Sequence, residues 1–537
     1  MAPQVKWLNA LKLLPLAAGM VFPKAQAAGQ ADHVVIIAWD GLRPDMVSAA
    51  NTPTLEKLRQ NGTFFRRHHA VYPSTTEVNG TALATGMYPA NSGLVGNREF
   101  RPTIHPTESV ATEALKTIRK ADELTGGKYL ATPTMYELLQ AAGFPTAIAG
   151  TKPVAVLPDR SQNRAEGASA KSRNVFEGKT LPESLLPKLV ESLGKFPEKP
   201  TFPDVPQNTW TVDVLLKELW MDGVPKLSLL WLSDPDYTQH DTQPGSPAAL
   251  ASLRENDKLL ARLLDALDEY GVRKTTDILL VSDHGFSTIG EAVDTAGLLT
   301  QAGFRASRKF TEPPEPGDIL VVSNGGTDFF YVIGHDGETI RRLVDFLQQS
   351  GLCGVIFSGA GLPGTFDLAT AHINSTDAPD VAVSFGWNSS PNDSGVKGLL
   401  VADTASVKRA GQGMHGSLSP YDMHNTLIAS GPDFRPGFVD ELPSGNVDVA
   451  PTVLWILGVA SPHKMDGRIL GEALRNPPFP TPEPRGKTLR AANGDWHQYL
   501  KTVSVGETEY LDEGNAEEAP RRISDGCKSG GEAATTP

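Results

Sequence analysis

The chain has 537 residues, of which 40% are hydrophobic and 21% charged, with a formal net charge of −13. The composition is that of a globular protein, and the length allows more than one ordinary core. The acidic balance argues against nucleic acid as an electrostatic partner. It leaves room for a small phosphorylated substrate, because bound metals can make one site locally positive. Cys353 and Cys527 are too few for a cysteine-rich metal site, and sequence does not establish that they pair.

Residues 1–27 read as an export signal. Lys6 and Lys12 precede the apolar run Leu13–Phe22, and Ala25-Gln26-Ala27 supplies a small-x-small cleavage site. The run is far too short for a membrane span, so a periplasmic or secreted protein without a spanning segment is expected. Next, His33–Trp39 is a continuous β-branched run that predicts a buried strand delivering Asp40-Gly41 at its carboxyl end. Ligands in open α/β sheets gather at those ends. A short helix is expected over Asn51–Asn61.

Tyr72–Asn97 opens with Ser74, Thr75 and Thr76 and then turns small and helical. A hydroxyl at a helix start stands beside unpaired N–H groups, which suits a nucleophile that attacks an anion. Such clusters ordinarily only cap helices. Further on, Thr132–Ala142 and Trp210–Trp220 read as helices, and Pro145–Ala149 and Leu227–Leu232 as strands. Pro247–Tyr270 is the best helix, with Leu253, Leu260, Leu263, Leu264 and Leu267 on one face. Asp277–Val281 is a strand ending in Ser282-Asp283-His284-Gly285, Asn425–Ser430 another strand, and Val449–Leu457 a helix.

These elements predict an α/β fold with a central, mostly parallel sheet flanked by helices. The core would span 28–297 and resume at 407–475, with an exposed insertion at 159–208 and an inserted mixed α+β lobe at 298–406. Residues 476–537 read as a Pro-rich, polar tail with a disordered end, in which His497–Glu513 could return as an edge strand.

The ligand-type residues at strand ends and loops are Asp40, Asp236, His240, Asp283, His284 and His415. Oxygen and imidazole donors without thiolate favour zinc, with manganese or cobalt as alternatives, over calcium. Six such ligands and one hydroxyl would hold two ions, and two ions can clamp the attacking and leaving oxygens of a phosphoryl displacement. Asp236-x3-His240 lies in a segment read as a loop, so its spacing alone fixes no common face. His68-His69 is set aside, because neighbours on a strand point to opposite faces.

The ordered set Asp40-Gly41, Thr76…Asn97, Asp236-x3-His240, Ser282-Asp283-His284-Gly285 and Gly413-Met414-His415-Gly416 resembles the alkaline phosphatase superfamily. Its nearest likeness there is the type I phosphodiesterase/nucleotide pyrophosphatase branch. The resemblance implies an alkaline phosphatase-like fold and two zinc ions. Asp40, Thr76, Asp283 and His284 would hold one ion, and Asp236, His240 and His415 the other. It makes Thr76 the nucleophile, because Asn79 and Asn97 then fall at the family's spacing, and it makes Asn97 an oxyanion donor together with the Glu77 N–H. The implied chemistry is hydrolysis of phosphodiesters or pyrophosphates through a phosphothreonine.

Three positions bear on substrate. Glu77 stands where nucleotide-cleaving relatives often have an aromatic wall. Trp231 matches the opposite wall or packs in the core. Lys152 resembles a phosphate-binding lysine of monoesterases, whose accompanying arginine is Val154 here, or is simply a surface lysine. The alternatives are a phosphomonoesterase at the same site and a non-catalytic secreted metal-binding protein. A sulfatase is disfavoured, since Thr76-Glu77-Val78 lacks the convertible Cys or Ser.

Overall fold

The computed structural model describes residues 29–162, 164, 167–359, 361–403 and 408–517. The export signal and Cys527 lie outside these residues. Nine strands form the central sheet. They are β1 (His33–Trp39), β2 (Thr63–His69), β3 (Thr146–Gly150), β4 (Arg173–Phe176), β5 (Lys179–Leu181), β6 (Leu227–Leu232), β7 (Thr276–Val281), β8 (Leu427–Ser430) and β9 (Phe438–Gly445). Their spatial order is β9-β2-β8-β7-β1-β6-β3-β4-β5, and all run in one direction except β8 and β5. This is the α/β architecture expected, with an alkaline phosphatase-like layout.

Strand alternation builds two cores on this sheet. Val34, Ile36 and Ala38 of β1 face a layer that contains α1 (Thr76–Thr85), through Val78 and Ala82. Val35, Ile37 and Trp39 face the other layer. There α3 (Pro247–Glu269) buries Leu253, Leu260, Leu263 and Leu267, each contributing about 1.5–3 kcal/mol. Ser246 caps α3 by accepting from the Ala249 N–H.

The mixed lobe comprises a six-stranded sheet running from Ala306–Ser307 to Val381–Phe385. A four-stranded sheet beside it takes Ser287–Val293 before the expected boundary and Gly413–Met414 after it. No helix among the described residues is long and apolar enough to cross a membrane.

Two expectations are corrected. Residues 159–208 are not simply an exposed insertion, because β4 and β5 lengthen the sheet edge and bury Val175, Phe176 and Leu181, and the helix Leu186–Leu193 buries Leu189. Their shortness, among many Pro and Lys residues, hides them in the sequence. Residues 476–537 are not only a tail, since Pro484–Asn493, Trp496–Val505 and Thr508–Ala516 form an antiparallel three-stranded sheet. The strand Pro484–Asn493 is almost wholly exposed, while Leu500, Val503, Val505, Tyr510 and Leu511 on the other two strands are buried, and the polar residues among them give the segment its polar look.

Candidate active site

Thr76 is the first residue of α1, and it is buried. Asn79, one turn on, holds the approach to it. Its Nδ2 donates to the carbonyls of Val71 and Thr75 at 3.0 and 2.9 Å, and its Oδ1 accepts from the Val71 N–H at 2.6 Å. The helix ends at Gly86, in the left-handed region at φ 69°. Within it, Gly80 allows close approach to the sheet. A Cβ there would lie 2.7 Å from Val154 Cγ2 and 3.2 Å from the Trp231 ring.

The candidate ligands fall into two groups, Asp40 with Asp283 and His284, and Asp236 with His240 and His415. Within each group the donor atoms lie no more than 4.8 Å apart. These are the residues that the resemblance divides between two ions. Asp40 and Asp283 extend from neighbouring parallel strands, and the Gly41 N–H donates to Asp283 Oδ1 at 3.0 Å. Asp236–Asp241 is a helical turn, α2, rather than a loop. The i,i+4 spacing therefore puts both side chains on one face, with Asp236 Oδ1 3.3 Å from His240 Nε2. His415 Nε2 lies 3.4 Å from the same oxygen. The groups adjoin each other, with the His284 and His415 rings stacked at 3.6 Å. Thr76 Oγ1 is 3.2 Å from His284 Nε2.

The donor set fits metal ions. His240, His284 and His415 each direct Nδ1 at a carbonyl (Gly413, Gly285 and Ser74) at 2.8–3.0 Å. A carbonyl only accepts, so Nδ1 carries the proton and Nε2 presents its lone pair to the centre. Burial pushes His284 and His415 below the ordinary imidazole range, which keeps those lone pairs available. Asp40 Oδ1, Asp236 Oδ1 and Asp283 Oδ2 are buried and accept no hydrogen bond from the described residues. Histidine and carboxylate donors without thiolate suit zinc.

Lys152 is the only positive side chain described within 3 Å of these carboxylates. Its Nζ is 3.0 Å from Asp40 Oδ2, 2.8 Å from Asp236 Oδ2 and 3.5 Å from Thr76 Oγ1. Burial opposes its charge, but Asp236 and Asp40 outweigh that and hold it protonated. Burial, with Asp283 alongside, pushes Asp40 well above the usual carboxylate range, and burial takes Asp283 up to about 7. On Asp236 burial acts the same way, yet Lys152 and His240 prevail and hold it low.

The remaining expected residues are placed as follows. The Glu77 N–H donates to Asn97 Oδ1 at 3.1 Å, so it is not a free oxyanion donor but a clamp on Asn97. The Glu77 carboxylate is buried, its Oε2 accepts no hydrogen bond from the described residues, and burial with Glu113 pushes its pKa well up. Trp231 is 1% exposed and donates Nε1–H to Asp40 Oδ2 at 2.8 Å. Of its two readings the structure supports core packing, because the ring is buried in the core layer that contains α1, where a Cβ on Gly80 would lie 3.2 Å from it. Sequence reasoning missed Tyr237, whose ring lies 5.0 Å from Lys152 Nζ. It also missed Asn446, whose Nδ2 donates to the Asp283 carbonyl at 2.6 Å and to Asn79 Oδ1 at 2.9 Å. Adjacency to Asp236 marks Tyr237; no sequence signal marks Asn446. A cavity of about 750 Å³ opens beside His240, lined among others by Thr151, Glu177, Phe196, Tyr237 and Lys408.

The sequence model of the type I phosphodiesterase / nucleotide pyrophosphatase family matches residues 34–416. The chain belongs to this family. Among curated members, human ectonucleotide pyrophosphatase/phosphodiesterase family member 1 is 21% identical over 266 residues, covering 49% of this chain and 24% of that protein. The venom phosphodiesterase of Naja atra is 22% identical over 263 residues, covering 48% and 26%. The chain thus spans about a quarter of the length of these relatives. Murine ectonucleotide pyrophosphatase/phosphodiesterase 5 has been solved alone and as an inactive variant in complex with AMP. It shares the fold at a TM-score of 0.57, covering 81% of this chain and 97% of that one, with 17% and 18% identity respectively.

Proposed function

We propose that this family member is an exported hydrolase of phosphodiester or pyrophosphate bonds that uses two zinc ions and a covalent phosphothreonine at Thr76. The observation that carries the reading is the buried Thr76 hydroxyl at the head of α1, 3.2 Å from His284 Nε2 where the two ligand groups meet. Asp40, Thr76, Asp283 and His284 would hold one ion, and Asp236, His240 and His415 the other. When bound, the ions lower the hydroxyl pKa and neutralise charge on the transferring phosphoryl group.

The chain's own groups do the rest. Asn79 and the N-terminus of α1 aim Thr76 Oγ1 at phosphorus. With its proton passed to solvent water, the oxygen forms the new P–O bond as the bond to the leaving oxygen breaks, and the leaving group takes a proton back from water. Asn97, its Oδ1 engaged by Glu77, is left with Nδ2–H to donate to a non-bridging oxygen. Lys152 adds positive charge beside the nucleophile. Water then hydrolyses the Thr76 ester and restores the hydroxyl. The cavity beside His240 has room for a leaving group of nucleotide size. Export is supported by residues 1–27 and by relatives described as ectoenzymes and venom enzymes.

Preference for diesters is supported by Val154, which stands where monoesterase-type relatives carry the arginine that accompanies the phosphate-binding lysine. A monoesterase reading rests on Lys152, 3.5 Å from Thr76 Oγ1. Thr76→Ala should abolish turnover while the protein keeps its zinc. Full activity in that variant removes Thr76 as nucleophile. Rates on an aryl diester and the matching aryl monoester decide the subclass, and a strong monoester preference overturns our choice.

A further inference from the structure

A second kind of histidine–carboxylate cluster lies outside the residues assigned above. His69 is the last residue of β2, His424 follows the short helix Pro420–Met423, and Asp512 lies on the strand Thr508–Ala516. Asp512 Oδ1 is 3.0 Å from His69 Nε2 and 2.9 Å from His424 Nε2. The three donor atoms all lie within 4.8 Å of one another.

His69 Nδ1 is 2.9 Å from the Ser444 carbonyl. That carbonyl accepts the Nδ1 proton, so in the neutral ring Nε2 turns a lone pair toward a carboxylate oxygen. Two lone-pair atoms at that distance require positive charge between them. The same signature marks His240 and His415, with Nδ1 on a carbonyl and Nε2 beside Asp236 Oδ1. Buried Tyr510 stacks on the His69 ring at 5.6 Å and 16°, fixing its orientation. The His424 side chain is 39% exposed, which leaves an approach for ion and water. His68, by contrast, turns to Ser444 Oγ and Asn446 and takes no part.

We propose that His69, His424 and Asp512 form a third metal site, of zinc type, that fastens the C-terminal sheet to the core. Two imidazoles and one carboxylate with an open position match zinc's donor preference and its coordination number of four. The ion would bind residues as far as 443 positions apart in the chain. It would bind the folded state only, and so stabilise it.

The test uses the full chain, loaded with zinc, desalted and analysed for metal per chain. Wild type should hold one zinc more than His424→Gln and Asp512→Asn. Both variants should hydrolyse an aryl diester within about twofold of wild type. Excess zinc should raise the melting temperature of wild type more than that of either variant. Because the count is a difference, it stands whatever the catalytic centre holds. Should the variants fail to fold, anomalous scattering at the zinc edge from wild-type crystals decides, with a peak expected among the three side chains. Equal zinc content in wild type and variants, or no such peak, overturns the site and leaves a protonated histidine–carboxylate clamp.

Discussion

The backbone N–H of Glu77 donates to Asn97 Oδ1 at 3.1 Å, joining the second residue of α1 to the loop that faces it. This bond selects one orientation of the Asn97 amide and leaves Nδ2 as the only side-chain donor. Asn97→Ala should lower kcat about 10²–10³-fold, the usual effect of losing one oxyanion donor. Asn97→Asp can still accept from Glu77 but cannot donate, so its loss should be at least as large. Steady-state kinetics with metal analysis checks this. A variant with unchanged kcat and full metal content would remove Asn97 from the transition state.

Lys152 lies between Asp40 and Asp236 at 3.0 and 2.8 Å, so it supplies the positive charge those buried carboxylates need when no ion is bound. Removing one member of a buried charge cluster typically costs about 3–5 kcal/mol. Lys152→Met should therefore lose about 3 kcal/mol of stability in the presence of a chelator, and excess zinc should restore most of it. Urea unfolding under both conditions measures the difference. An equal loss in chelator and in zinc would show that the lysine acts only through packing.

Part of this site is legible in the sequence because chemistry follows strand ends. His33–Trp39 and Thr276–Val281 carry unbroken apolar runs from Val34 to Trp39 and from Ile278 to Val281, so Asp40 and Asp283 stand out just beyond where each run stops. The α2 turn is not legible, since six residues carry too little periodicity to separate helix from loop. Nor is the role of Trp231, because alternation puts it on one face of β6 without saying that α1 covers that face. The C-terminal sheet is hidden by its polar outer residues, and β4 and β5 by their brevity. The Lys152 contacts depend on where a long, flexible side chain ends, which only the assembled site determines.

Trp231 Nε1–H donates to Asp40 Oδ2 at 2.8 Å while its ring packs in the core. Trp231→Phe retains most of the packing and loses that bond. Partners that orient a metal ligand are typically worth 10–100-fold in metal affinity, so zinc affinity should fall within that range. KM for a nucleotide substrate, measured at saturating zinc, should change no more than KM for a simple aryl diester. A selective rise for the nucleotide would return Trp231 to the role of stacking wall.

Asp448 joins β9 to the C-terminal sheet, accepting from the Gly445 and Arg468 N–H groups at 2.8 Å each and from Tyr510 Oη at 2.7 Å. Burial pushes its carboxyl up to about 6, against the opposing pull of Arg468. A carboxyl raised on folding contributes stability that is fully present below its unfolded pKa of about 3.9 and is lost as pH rises through the folded value. That contribution should therefore fall by about 2 kcal/mol between pH 4 and pH 7. Asp448→Asn cannot titrate, so the variant should gain on wild type by that amount over the same interval. Its absolute stability can be lower throughout, since the amide must present one donor to a site built of donors. Urea unfolding of both proteins in chelator at pH 4, 5, 6 and 7 gives the difference. A gap that stays constant with pH would show that Asp448 is ionised throughout in the folded protein.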